Sequence, residues 1–206
     1  MNEGPTGGGW LEYIGGYFFR WRDLLPVPLA LFLIARARKR PLARLFGLPL
    51  IVAGELLRLA ALRHIGPTTR TREICADRLV TSGPYAWVRH PLYLANALKI
   101  AGMLLFAGDL PAGILSAFFY ILEFSTMIPY EEAFLKDKFP ESFESWAART
   151  PAFIPSCPET AEERTERVPK WSWGEAFWSE RRTFASTGLI LVACTIAAAW
   201  RGERTT

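Results

Sequence analysis

Metal-binding and disulfide chemistry have little to draw on in this chain, which holds two histidines and three cysteines in 206 residues. Cys75, Cys157 and Cys194 are far apart, odd in number and without CxxC or Cys/His spacing, so neither a disulfide framework nor a zinc site is indicated. The opening stretch MNEGPTGGGWLEY has no basic n-region and no cleavage signature, so no removable signal peptide is expected. The basic residues are not interleaved with aromatics in the pattern of a nucleic-acid binder, and no internal repeat or low-complexity tract is present.

What is abundant is apolar surface. Half the residues are hydrophobic and the mean hydropathy is positive, although the chain carries 24 Lys and Arg and 20 Asp and Glu. The charges must therefore be segregated from the apolar runs, as in a polytopic membrane protein, where each helical span needs about 20 mostly apolar residues. Eight tryptophans and six tyrosines suit the headgroup level of such a protein.

The runs predict an all-α membrane bundle of about five spans within a single integral membrane domain, residues 1–206. Residues 1–40 read as an interfacial aromatic segment leading into a first tilted helix, because Arg20, Arg22 and Asp23 interrupt the apolar run at 13–35. The second span, LFGLPLIVAGELLRLAALRHIG, carries Glu55 and Arg58 three residues apart, which predicts a pair on one helix surface. A polar loop at 66–90 has turn signals at Gly66-Pro67 and Gly83-Pro84, and RLVTSG reads as a short extended piece. LYLANALKIAGMLLFAG and AGILSAFFYILEFSTMIPY follow as spans three and four, with a DLP link that forces an antiparallel hairpin.

Residues 131–155 predict interfacial amphipathic helices broken at Pro140, with Phe134, Leu135, Phe139, Phe143 and Trp146 as the apolar stripe. Residues 156–182 read as irregular and 184–200 as a fifth span, so that 66–155 would form the functional core and 156–206 a polar segment with a C-terminal helix. With five spans, the face holding the N-terminus, the 63–90 loop and the 131–182 region carries fifteen Lys and Arg against seven on the other. The positive-inside tendency makes that face cytoplasmic, with the five basic residues at 36–44 arguing locally the other way.

If span three begins after His90 and span four ends before Glu131, the hairpin brings Arg89, His90, Tyr93, Glu131 and Glu132 to one membrane face. Ionisable groups at that depth are functional candidates by default. Carboxylates for an amino group, an imidazole for a carboxylate or ribose, and aromatic rings for a base or soft cation suit a zwitterion with a large polar body. S-adenosylmethionine has all these parts. Each residue also has a plainer reading: His90 as a helix cap in the headgroups, Arg89 as a snorkelling lipid anchor, Glu131 as a solvated helix-start charge. Trp87 reads as part of an aromatic belt and His64 as interfacial.

The block LVTSGPYAWVRHPLYLAN, followed by EEAFLKDKFPESFESWAARTPAFIP, resembles the isoprenylcysteine carboxyl methyltransferase family, which is similar in turn to phospholipid N-methyltransferases. The resemblance covers roughly residues 45–155. It implies a compact helical membrane methyltransferase that uses S-adenosyl-L-methionine, with the cofactor between the cytosolic helix ends and a lipophilic or lipidated substrate entering from the surrounding membrane lipids.

Carried onto this chain, the family's cofactor contacts fall on Asp77, Arg78, Leu79, Val80, Tyr85, His90, Pro91, Leu92, Tyr93 and Glu132. Arg89 matches the arginine of the RHP block, as a group that holds substrate or orients the site. For an amine or hydroxyl acceptor, Glu131 or His90 is the expected base. Three departures stand out: Ala95 where a glycine is common, Ile128 and Pro129 where animal prenylcysteine enzymes resemble one another in having an arginine, and Lys99 within span three. The second weighs against a prenylcysteine carboxylate acceptor; the third predicts a Lys99 to Glu123 pair across the hairpin. Two rival readings stay open: an NADPH-dependent sterol-type reductase, whose C-terminal half is similar and has an RHxxY block, and a non-enzymatic membrane scaffold.

Overall fold

The structure, a computed structural model, describes residues 10–22, 24–66, 76–157 and 169–203. Asp23, Pro67, Cys75, the stretch before Trp10 and residues 158–168 of the expected irregular segment lie outside them. The described residues form seven α-helices: α1 (Trp10–Trp21), α2 (Pro26–Arg36), α3 (Pro41–Ile65), α4 (Pro91–Ala107), α5 (Leu110–Lys138), α6 (Pro140–Arg149) and α7 (Trp173–Glu203), with a 3-10 turn at Gly83–Ala86. No strand occurs among them, so RLVTSG is not an extended sheet element: it runs through bends into the 3-10 turn. The chain is a membrane helical bundle. By length and composition α3, α5 and α7 are long and apolar enough to cross a bilayer, and α2 and α4 are shorter apolar helices.

Prolines start most of these helices. A proline occupies the first turn of α2, α3, α4, α5 and α6, where the missing N–H costs nothing and the fixed φ favours helix. The α4–α5 hairpin is closed by two residues. Gly108 takes the left-handed conformation (φ +70°) and donates its N–H to Leu104 O, while Asp109 caps α5 by accepting from Ala112 N at 3.1 Å. Asp109 is buried and also pairs with Arg36 (3.2 Å) and Arg38 (2.7 Å), which ties the α2–α3 connection to the hairpin tip.

The broadest helix contact is α3 on α4. Gly47 and Gly54, two turns apart, let the backbones meet. A Cβ on Gly47 would lie 2.6 Å from Gly102 O, and one on Gly54 2.6 Å from Ala95 O. Lipid offers no hydrophobic drive for helices to associate, so this close small-residue packing and interhelical polar contacts hold the pair. The same device recurs where α1 crosses α5: a Cβ on Gly15 would lie 2.3 Å from Thr126 O. The outer face of α1 exposes Trp10, Tyr13, Tyr17 and Trp21, in keeping with an interfacial aromatic helix ahead of α2.

Two boundaries differ from expectation. Span four does not stop before Glu131: α5 continues through Pro129 to Lys138. Proline keeps a helical φ and removes only one backbone bond, and the strong helix formers EEAFLK follow it. Nor does the last helix begin near 184. It starts at Trp173 behind a capping box in which Ser172 Oγ accepts from Glu175 N (3.2 Å) and Glu175 Oε2 accepts from Ser172 N (2.8 Å).

The intramembrane charges are also partnered differently. Glu55 and Arg58 do not pair with each other. Arg58 binds Glu180 on α7 (2.9 Å) and Asn96 on α4 (3.3 Å), and Glu55 accepts from Thr187 of α7 (3.1 Å) and faces Lys99 at 3.5 Å. The expected Lys99 to Glu123 pair is therefore absent: the close α3–α4 approach delivers Lys99 to Glu55 instead. Together these contacts fasten α7 to the central pair.

Candidate functional site

The site assembles where the start of α4 meets the α5 helix beyond Pro129. His90 caps α4 and is buried, at 5% exposure. Its imidazole is bracketed by the glutamate pair: Nε2 lies 2.9 Å from Glu132 Oε1 and Nδ1 3.5 Å from Glu131 Oε2. Arg89 donates to the same Glu132 oxygen from Nε (2.9 Å) and Nη2 (2.8 Å). Three donors thus converge on Glu132 Oε1. Burial disfavours the imidazolium, but hydrogen bonds and charges from Glu131 and Glu132 outweigh it, so the His90 pKa stands above its ordinary value.

Arg89 has a further task. Its Nη1 donates to Thr150 O (2.6 Å) and Ala147 O (3.2 Å), at the carboxyl end of α6. The segment after α6 is laced onto the α4 entrance by backbone bonds, Arg89 N to Pro151 O (2.8 Å), His90 N to Ala152 O (3.2 Å) and Ser156 N to Trp87 O (2.9 Å). The guanidinium is engaged on all sides. Its geometry orients Glu132 and α6 rather than leaving a free fork for an anion.

The GPY turn stands beside this cluster. Gly83 adopts φ +61°, and a Cβ there would come within 2.3 Å of His64 Nε2, so only glycine fits the turn in both conformation and space. His64 is itself buried, with Nδ1 3.1 Å from Ser82 Oγ. It supports the turn from α3, a role its interfacial reading missed. Trp146 of α6 donates Nε1–H to Tyr85 O at 3.0 Å, and Phe143 and Trp146 pack with Tyr85, Leu79, Val80 and Leu92. The amphipathic stripe of α6 therefore roofs this corner.

Tyr85 and Tyr93 are buried; the Oη of Tyr85 lacks a hydrogen-bond partner, and that of Tyr93 faces the Glu131 carboxylate. Glu131 is close enough for its charge to act on both. The Tyr85 pKa is raised, first by burial, then by Glu131, with Arg58 opposing. Buried hydroxyls normally find partners, so the orphaned Tyr85 Oη near this carboxylate marks a place prepared for a polar atom that the protein does not supply.

Of the residues singled out in the sequence, Arg89, His90, Tyr93, Glu131 and Glu132 do meet. Leu79, Val80, Tyr85 and Leu92 form the adjoining wall, and Pro91 is buried at the first turn of α4. Asp77 and Arg78 are exposed at the rim, where Arg78 reaches His64 O at 3.4 Å. Arg58 was read only as structural, yet its charge reaches Tyr85.

The family model of phospholipid methyltransferase matches residues 42–142, the stretch from the start of α3 to the start of α6. A cobalt-zinc-cadmium resistance protein of Cupriavidus metallidurans is 44% identical over 79 residues, 38% of this chain and 36% of that protein. Protein-S-isoprenylcysteine O-methyltransferase B of Arabidopsis thaliana is 32% identical over 114 residues, 53% of this chain and 58% of that one. The protein-S-isoprenylcysteine O-methyltransferase of Schizosaccharomyces pombe is 30% identical over 119 residues, 54% and 49% of the two chains. The chain spans little more than a third of the length of the metal-resistance relative, and no solved structure matches. The segment that builds both halves of the site is thus the one that matches the phospholipid methyltransferase family.

Proposed function

We propose that this protein transfers a methyl group from S-adenosylmethionine to a lipophilic acceptor at the membrane interface, with the site on the cytoplasmic face. The observation that carries the reading is the partnerless buried hydroxyl of Tyr85, with Tyr93 Oη facing Glu131, set beside the Arg89–Glu132–His90–Glu131 cluster. This donor set fits a zwitterion: Glu132 Oε1 is occupied by Arg89 and His90, which leaves its second oxygen for an amino group, and the Tyr85 hydroxyl is available to a polar atom. Asp77, Arg78, Leu79, Val80, Tyr85, His90, Pro91, Leu92, Tyr93 and Glu132 would hold the cofactor. Bound there, S-adenosylmethionine supplies an electrophilic methyl group.

The chain's own residues do the rest by position. Arg89 fixes Glu132 and the roof helix α6, and the Tyr85, Phe143 and Trp146 packing keeps water from the corner. His90, held between two carboxylates that raise its pKa above the ordinary value, is better suited to donate than to accept a proton. Glu131 is then the group able to take a proton from an acceptor that must lose one. In this reading residues 66–155 hold the reacting core, with α1, α2 and α7 flanking it.

Calorimetry on the detergent-solubilised protein tests the reading. Micromolar binding of S-adenosylmethionine, lost in His90→Ala without loss of fold, is the expected result. A folded wild type that ignores this cofactor overturns it, and binding of a reduced nicotinamide dinucleotide instead would assign a reductase.

A further inference from the structure

Glu123 lies on α5 eight residues before Glu131, which places it about 12 Å deeper along the helix axis. It is 3% exposed, its Oε2 has no hydrogen-bond partner, and no ion pair joins it to a described residue. Lys99 of α4, the lysine expected to pair with it, is turned to Glu55. A buried carboxyl held without a partner inside an apolar bundle is costly, and such groups mark ligand paths.

Its surroundings are largely aromatic. The ring of Tyr93 stands 5.3 Å from that of Phe124, and Phe124 6.1 Å from Tyr120. Glu123 acts electrostatically on both tyrosines, and the Arg22 guanidinium of the α1 end acts on Tyr93 with the opposite sign. His90, at 5.6 Å from Tyr93, links this aromatic group to the site above. Ring faces and a carboxylate together attract an ammonium group, whereas a carboxylate or phosphate brought to the same depth meets repulsion.

We infer that Glu123, with Tyr93, Tyr120 and Phe124, is the acceptor-recognition subsite, and that the acceptor is a lipophilic amine bearing no anionic group. This rests on the methyl-transfer reading for its meaning as an acceptor site. The amine enters between the helices, its ammonium is held by Glu123, and its approach toward His90 and Glu131 follows the aromatic rings. Anionic amphiphiles are excluded by the same carboxyl.

The test compares dodecylamine, dodecanoate and a short-chain phosphatidylethanolamine binding to the full chain in nonionic detergent, by calorimetry, alongside S-adenosylmethionine. The amine is expected to bind about ten-fold or more tightly than either competitor, and Glu123→Gln to abolish that preference while leaving S-adenosylmethionine affinity unchanged. Equal binding of dodecanoate or the phospholipid by wild type, or a Glu123→Gln variant that keeps the preference, overturns the inference. Should Glu123→Gln fail to fold, the three-ligand ranking on the wild type decides. An amine preference without S-adenosylmethionine binding would uphold the subsite and remove methyl transfer; cofactor binding without amine preference would do the reverse.

Discussion

His90 Nε2 and Arg89 Nε each lie 2.9 Å from one and the same oxygen, Glu132 Oε1, so adjacent residues at a helix entrance grip a single acceptor from a helix more than forty positions away. That shared atom makes the site a three-way junction of α4, α5 and, through Arg89, the end of α6. Its behaviour under substitution follows.

Glu132→Gln keeps the shape but removes the charge that both donors face. S-adenosylmethionine affinity is expected to fall about ten- to hundred-fold, the value of a lost hydrogen bond to a charged group, as read by calorimetry.

The raised pKa of His90 fixes the sign of a pH effect. A group whose pKa is higher in the folded protein contributes stability that is complete below its ordinary value of 6.5 and is lost as pH rises through the folded value. Thermal unfolding in detergent is expected to show stability declining as pH climbs above 6.5, and His90→Gln is expected to flatten that slope. A wild-type slope of the opposite sign would contradict the carboxylate-bracketed imidazolium.

Arg58 and Glu180 form a buried pair joining α3 to α7 at 2.9 Å. Arg58→Leu alone takes the guanidinium from a fully buried carboxylate, and is expected to cost about 3–5 kcal/mol. The double replacement Arg58→Leu with Glu180→Leu is expected to cost less than either single change. A double-mutant cycle on unfolding free energies measures the difference.

Gly54→Leu drives a side chain into the Ala95 carbonyl, where even a Cβ would stand 2.6 Å away. The expected loss is at least about 1–3 kcal/mol, the range for overpacking, and because α3 and α4 must separate, the change should also disturb Lys99 and Glu55. A melting temperature within error of wild type would show that the helices have room to spare.

The convergence of Arg89, His90, Glu131 and Glu132 was legible in the sequence because a two-residue link allows only one arrangement of two apolar runs. The identity of each charge's partner was not. Lys99 sits where the facing helix offers Glu123, but the glycine contacts that bring α3 within backbone distance of α4 hand it to Glu55, 44 positions earlier; nothing local to Lys99 records that approach. The apolar run of span four stops at Tyr130, yet the helix does not: Pro129 leaves a single bond unmade and α5 continues through the charged residues after it. The start of α7 had a signal that hydropathy alone passes over, the Ser172 to Glu175 capping box. His64 could not have been placed, since its task is to stand behind a glycine 19 residues further on.

The backbone lacing of residues 151–156 onto 87–90 sets an order of events during synthesis. When α5 has left the ribosome and entered the bilayer, His90 and Glu132 are both present, but the carbonyls of Ala147 and Thr150 that anchor Arg89, and the strip that pairs with residues 87–90, have yet to be made. A nascent chain thus has its hairpin before it has its site, and translation must pass Ser156 before the entrance to α4 can lock.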